Sequence, residues 1–427
     1  MSQIEFPFGS KKIKVEIPDK NVLSVLKVRY LPVVDSEKAI KFALDHPIRS
    51  PKLENLLQSR DKVAIIVDDI TRPTPTHYLL GPLLKKLSNI GVLDRDITII
   101  FANGAHRKVT RKEQEYLLGK DILSRIKTVN HDAKNKSSTK YLGKTSRGTR
   151  IGLNRLVVDA DLRILLGCIK PHSEAGYTGG AKSIIPGTAG LDTILMNHSY
   201  EAIAHPSSAL GVIEGNPMRE DMEEVTKMIG SCFIINVVVN PCREIVGVVT
   251  GESIGAHREG AKILDKMAKI KVSEKADVTI TGCPSPIDIS LYQALNALVC
   301  PIRVTEPIVK KGGTIVLVAE CREGIGHMAF YDLVKKFRNP RDLLGYLSSG
   351  KISLDQYAAQ LWAEVLNLAH VIVVTQKISK KELSEMGVEH ASTIEQALKL
   401  AELRIGPNMK ILAIPDAPYI IPFLEKR

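Results

Sequence analysis

Short runs of β-branched and aliphatic residues alternate along this chain with stretches whose apolar residues recur at helical spacing. That alternation constrains the fold more than any other feature. A strand apolar on both faces needs both faces covered, which helices packed on a parallel sheet provide. Lys62 to Val67, Ile97 to Ala102 and Leu162 to Gly167 read as buried strands, and Thr76 to Ile90 reads as a helix. Each strand runs directly into polar residues: Asp68-Asp69, Asn103-Gly104-Ala105-His106 and Lys170-Pro171-His172. In open α/β sheets ligands bind beyond the carboxyl ends of the strands, so this edge is where a site is expected.

Further on, Cys232 to Asn240 and Glu244 to Thr250 read as a hairpin turned at Pro241-Cys242. A helix from about Ile254 to Lys269 then leads into a charged link, Lys271 to Lys275. A second α/β series follows, with strands at Val278 to Thr281, Thr314 to Ala319, Val371 to Thr375 and Ile411 to Ile414. A chain of 427 residues exceeds one ordinary core. The expectation is two α/β domains, residues 1–272 and 273–427, with an active site in the interdomain cleft.

The six cysteines (Cys168, Cys232, Cys242, Cys283, Cys300, Cys321) form no CxxC pair and read as free thiols in a reducing compartment. Met1 to Pro18 lacks the apolar stretch of a signal peptide, and runs such as Phe233 to Val239 fall far short of the roughly 20 residues that span a bilayer. A cytoplasmic protein with no membrane partner is expected. The formal net charge of +12 invites a nucleic-acid reading. However, the most basic stretch, Lys134 to Arg150, reads as a solvated hairpin with no aromatic interleaving. Anionic small ligands account for the charge equally well.

The segment from Lys170 to His198 carries the most chemistry. Gly176, Gly179 and Gly180 surround Tyr177 and precede Lys182, and Asn197-His198 follows. Glycines there let a backbone approach a ligand, and Lys182 suits either a phosphate point charge or, with a lowered pKa, a covalent nucleophile. The spacing is not that of a Walker loop. His106, His172 and His198 converge on one sheet edge, each able to move a proton near neutrality or to ligate a metal. Beside them lies Asp69-Ile70-Thr71-Arg72-Pro73, in which the Arg72 fork matches a carboxylate or phosphate.

These motifs resemble the lactate racemase family of nickel-dependent hydroxyacid racemases and epimerases. The matching elements are Asp69-x-Thr71-Arg72-Pro73, Gly104-x-His106-Arg107, Pro171-His172, Gly176-Tyr177-Thr178-Gly179-Gly180-Ala181-Lys182, Pro186-Gly187, Asn197-His198 and Tyr292-Gln293, in the family's order. The resemblance implies a nickel-pincer nucleotide, a pyridinium mononucleotide whose two sulfurs and a carbon grip nickel, tethered covalently to Lys182. It implies His198 as the nickel ligand and His106 and His172 as paired acid/base groups. Asp69, Ile70, Thr71, Arg72, Tyr177, Gly179 and Gly180 would line the cofactor. Arg72, Tyr292, Gln293, Asn296 and Tyr357 would meet the substrate. The activity implied is inversion of a 2-hydroxy acid by reversible hydride removal, and the enzymes that build the cofactor are implied partners.

Two positions depart from the family pattern. Asn296 stands where a lysine is expected, and Tyr357, in Asp355-Gln356-Tyr357, stands where a tryptophan is expected. Losing the lysine removes a cation at the substrate carboxylate and puts lactate itself in doubt. Within the family, an epimerase of a longer polyhydroxy acid is the nearest alternative. From other classes, a zinc hydrolase could use His106, His172 and His198 as ligands, and a non-catalytic nucleotide-binding protein is a third reading.

Overall fold

A computed structural model describes residues 1–337, 339–350 and 356–425; Asp355 of the motif above lies outside them. The chain opens with a hairpin, β1 (Ser2–Phe8) and β2 (Lys11–Ile17), and a strand, β3 (Val22–Val25). Next come β4 (Val63–Val67), β5 (Ile97–Phe101) and β6 (Lys127–Asn130). The hairpin β7 (Thr139–Lys144) and β8 (Arg150–Asn154) follows, and then β9 (Leu162–Ile169). Two short paired strands, β10 (Pro171–His172) and β11 (Gly176–Tyr177), precede β12 (Cys232–Val239) and β13 (Ile245–Glu252).

The first large sheet has the order β13-β12-β9-β4-β5-β6, parallel except for the β12/β13 hairpin at its edge. Every residue of β4 and of β9 is buried, as strands covered on both faces require. From β4 the chain order runs outward in both directions, so the switch point lies between β4 and β9. The helix Thr76–Ile90 falls where its periodicity puts it and ends at Gly91, whose φ of 94° closes it in the left-handed region.

β14 (Lys269–Val272) starts the second half, followed by β15 (Ala276–Gly282), β16 (Val309–Val318), β17 (His370–Val374), β18 (Glu389–Ala391), β19 (Ile411–Ile414) and β20 (Ile421–Leu424). The second sheet is parallel, with the order β18-β17-β16-β15-β19-β3. Part of the expected charged link is therefore strand: β14 pairs with β20.

Residues 2–25, expected with the first domain, lie instead with the second sheet. β3 is an edge strand of the second sheet. Phe6 and Ile17 of the first hairpin pack in one cluster with Val278, Ile280, Val316 and Val318. Residues 2–25 thus build the second sheet's side of the molecule, which periodicity along the chain could not reveal. A separate core takes in Leu165 and Ile234 of the first sheet and Leu317 and Val373 of the second, so the two sheets share apolar packing.

Candidate active site

The strand ends of the first sheet and the helix and loops above the second enclose a cavity of about 630 Å³. Asp69, Thr71, Arg72, His106, His172, Gly179, Lys182, His198, Tyr292, Gln293, Asn296 and Tyr357 all line it. The cavity therefore lies at the sheet edge where a site is expected, and the second half contributes the facing wall.

Three expected cofactor contacts lie elsewhere. Ile70 packs against the apolar core beside β4 and is not a lining residue. Tyr177 is buried, its hydroxyl bonded to Asp265 at 2.5 Å and to the Gly211 carbonyl at 3.2 Å. Gly180 also faces protein: its amide donates to Asn236 Oδ1 at 2.7 Å, and a side chain there would meet the His257 ring. These two residues shape the loop that carries Lys182; they do not touch the cavity.

At the end of β4, Asp69 accepts bonds from the Thr71 amide and hydroxyl and from His106 Nδ1 at 2.8 Å. Burial pushes its carboxyl up, but the bond from His106 and the charge of Arg72 outweigh burial and hold it well below the usual range. An ionised Asp69 fixes the proton of His106 on Nδ1 and leaves Nε2 as an acceptor. The ring of His106 is exposed and lines the cavity. Neighbouring Asp68 behaves oppositely: burial pushes it up to about 6.

His172 is recessed, and burial, then Lys182 and Arg72, hold it well below its ordinary value, so its resting ring is neutral. Its Nδ1 lies 3.1 Å from Glu174 Oε2, 3.4 Å from the amide nitrogen of Glu174 and 3.2 Å from that of Ala175. Glu174 was not singled out in the sequence, where an acid two residues after a histidine signals nothing. His198 closes the helix Leu191–Asn197, and its Nδ1 donates to the Ile194 carbonyl at 3.1 Å, leaving Nε2 with the lone pair. Burial, then Lys182, lowers its pKa to about 3.

The amine of Lys182 has no hydrogen-bond partner among the described residues. Burial first, then Arg72, lowers its pKa to about 7. Lys170, just behind, is lowered to about 8 by burial and Arg72. Arg72 and Lys182 together make their end of the cavity receptive to an anion. Asn103 Oδ1, buried and without a partner, adds an acceptor on the same side.

Among the described residues, no three His, Cys, Asp or Glu side chains are grouped to hold a metal ion by themselves. The three-histidine zinc site considered from sequence is therefore not assembled; His106 is held by Asp69 instead. Among the described residues, no helix is long and apolar enough to cross a membrane.

Comparison with known proteins agrees with this geometry. The lactate racemase N-terminal domain model matches residues 8–211, and the C-terminal domain model matches residues 271–421. The chain is 33% identical over 428 residues to the lactate racemase of Thermoanaerobacterium thermosaccharolyticum, covering 99% of each. It is 32% identical to that of Lactiplantibacillus plantarum, covering 99% of this chain and 100% of the relative. The solved lactate racemase apoprotein from T. thermosaccharolyticum superposes with a TM-score of 0.92 at 31% identity, covering all of both chains. A Thermotoga maritima protein shares the fold, with a TM-score of 0.71 at 18% identity over 92% of this chain. The fold and site define a two-sheet α/β protein with a histidine-bearing cavity that also presents Arg72 and Lys182. The chain belongs to the lactate racemase family.

Proposed function

We propose that this chain inverts the hydroxyl-bearing carbon of a small 2-hydroxy acid, using a nickel-pincer nucleotide tethered to Lys182. The observation that carries this reading is the amine of Lys182, lowered to about 7, beside Arg72 in a cavity that also holds His106, His172 and His198. The curated relatives are lactate racemases.

The residues present fit the cofactor. An amine whose pKa is lowered to about 7 is partly neutral near pH 7, which suits covalent attachment. A neutral imidazole with its lone pair on Nε2 suits nickel, and the hydrogen bond to Ile194 fixes that tautomer at His198. Arg72 suits an anionic group of the cofactor or of the substrate. When bound, the cofactor would supply an acceptor for the hydride of the substrate's C2.

The chain's own residues do the rest. Arg72 pairs with the carboxylate and holds C2 in place. His106 Nε2 takes the hydroxyl proton from one face, helped by Asp69, which stabilises the imidazolium as it forms. His172 serves the opposite face in the tautomer whose proton sits on Nδ1 toward Glu174, 3.1 Å away, which leaves Nε2 as the acceptor. Two bases suit a reaction whose forward and reverse directions are chemically equivalent.

Protein made alongside the cofactor-building enzymes tests the reading. Intact mass should show an adduct that maps to Lys182 and is absent from Lys182→Arg, and metal analysis should show nickel. An adduct that persists on the variant, or no inversion of any 2-hydroxy acid by nickel-loaded protein, overturns it.

A further inference from the structure

The two walls of the cavity differ in charge. Arg72 and Lys182 stand on the first sheet's side, whereas the described lining residues from the second half include no lysine or arginine. Arg322 follows β16 but does not line the cavity. The second wall instead presents neutral hydrogen-bonding groups. Tyr292 and Tyr357 join their hydroxyls at 2.7 Å, and Tyr292 stacks on His327 with ring centroids 4.9 Å apart.

On the helix Leu291–Leu298, one turn beyond Tyr292, Asn296 Nδ2 donates to the Gln293 carbonyl at 2.8 Å. Asn296 Oδ1 and the side-chain amide of Gln293 have no hydrogen-bond partner among the described residues. Among the described lining residues of this wall the single acid is Glu323.

Resting on the reading above, we propose that this wall receives the substrate's tail and selects an uncharged, hydroxylated one. The substrate is then a 2-hydroxy acid bearing at least one further hydroxyl, held by Gln293 and Asn296. With the carboxylate on Arg72, an alkyl tail would strip water from these amides and return no hydrogen bond. A second carboxylate would face Glu323 with no lysine or arginine among the described lining residues of that wall. A site built to bond a substrate hydroxyl rejects the analogue lacking it by up to about 10⁴-fold.

The test compares lactate, 2,3-dihydroxypropanoate and malate, the first two differing by one hydroxyl. With cofactor-loaded protein, kcat/KM for inversion should favour dihydroxypropanoate over lactate by about 10²-fold or more, with malate poorest. Asn296 is exposed, so Asn296→Leu should fold. It should narrow the preference mainly by losing the dihydroxy acid, and Glu323→Arg should raise turnover of malate. If lactate or malate is inverted best, the tail assignment is overturned while the inversion chemistry stands. If no acid is inverted, that chemistry falls, and calorimetric binding of the same three acids decides the wall. Tighter dihydroxypropanoate binding, weakened by Asn296→Leu, supports the assignment; equal binding of it and lactate overturns it.

Discussion

His106, His172 and His198 share a cavity yet are chemically distinct, because each ring's Nδ1 has a different neighbour. His106 gives its Nδ1 proton to an ionised carboxylate, His198 gives its own to a helix carbonyl, and His172 sits among two amides and Glu174. Replacing His106 with alanine should cut inversion by about 10²–10⁴-fold and leave nickel bound. His198→Ala should release nickel, read by metal analysis. Loss of metal from the His106 variant would contradict the division of roles.

Lys182 allows a second test, in the absence of cofactor. Its pKa is near 7 when folded and 10.5 when free, so below pH 7 both states carry the charge and the folded state bears its desolvation. Between pH 7 and 10.5 the unfolded chain binds more protons, and stability contributed at this position rises with pH. Lys182→Met should therefore melt above the parent at pH 6 and lose that advantage by pH 9 to 10 in thermal unfolding scans. An advantage that is the same at both pH values would show that the amine is not desolvated.

Short irregular pieces, not the long helices, do most to set the site. The loop between β11 and Lys182 turns at Gly179, whose φ of 78° and ψ of −178° suit glycine alone. A β-carbon there would lie 2.6 Å from Asn236 Oδ1, the acceptor of the Gly180 amide. Gly179→Ala should destabilise the protein by about 1–3 kcal/mol from backbone strain. It should also disturb Lys182, seen as less adduct on the loaded protein. Gly345→Ala is the control, since nothing lies within 4 Å of that position inside its helix. It should be neutral or slightly stabilising.

The facing wall depends on capping. Ser290 caps the helix Leu291–Leu298, accepting from the Gln293 amide. That helix places Tyr292, Gln293 and Asn296 on the cavity.

In the molecule as a whole, the cleft exists because two parallel sheets bring their strand ends together, and the amino-terminal segment reinforces the second of them. Ile4, Phe6, Val15 and Ile17 are buried, and β3 covers the free edge of β19. Burying each such side chain contributes about 1.5–3 kcal/mol. Deleting residues 1–25 should therefore lower stability by several kcal/mol and expose Ile280 and Val318, favouring aggregation, measurable by melting temperature and light scattering. The same deletion from a protein with two units divided at 272 would leave the second unit's melting unchanged.

Local pattern carried a large share of this protein. The apolar runs of β4, β5 and β9, the periodicity of Thr76–Ile90 and the polar residues beyond each strand were readable because burial on both faces and helical spacing are properties of neighbouring residues. They pointed to the sheet edge where the cavity lies, and most of the expected site residues line it. Tertiary structure decided what depends on distant partners. It placed residues 2–25 against a sheet formed some 250 residues later, turned Tyr177 and Gly180 into supports, and set Glu174 against His172. It also put all the cations of the described cavity on one wall. Charge partition and side-chain pairing arise from contacts between segments far apart in the chain, and no spacing along it encodes them.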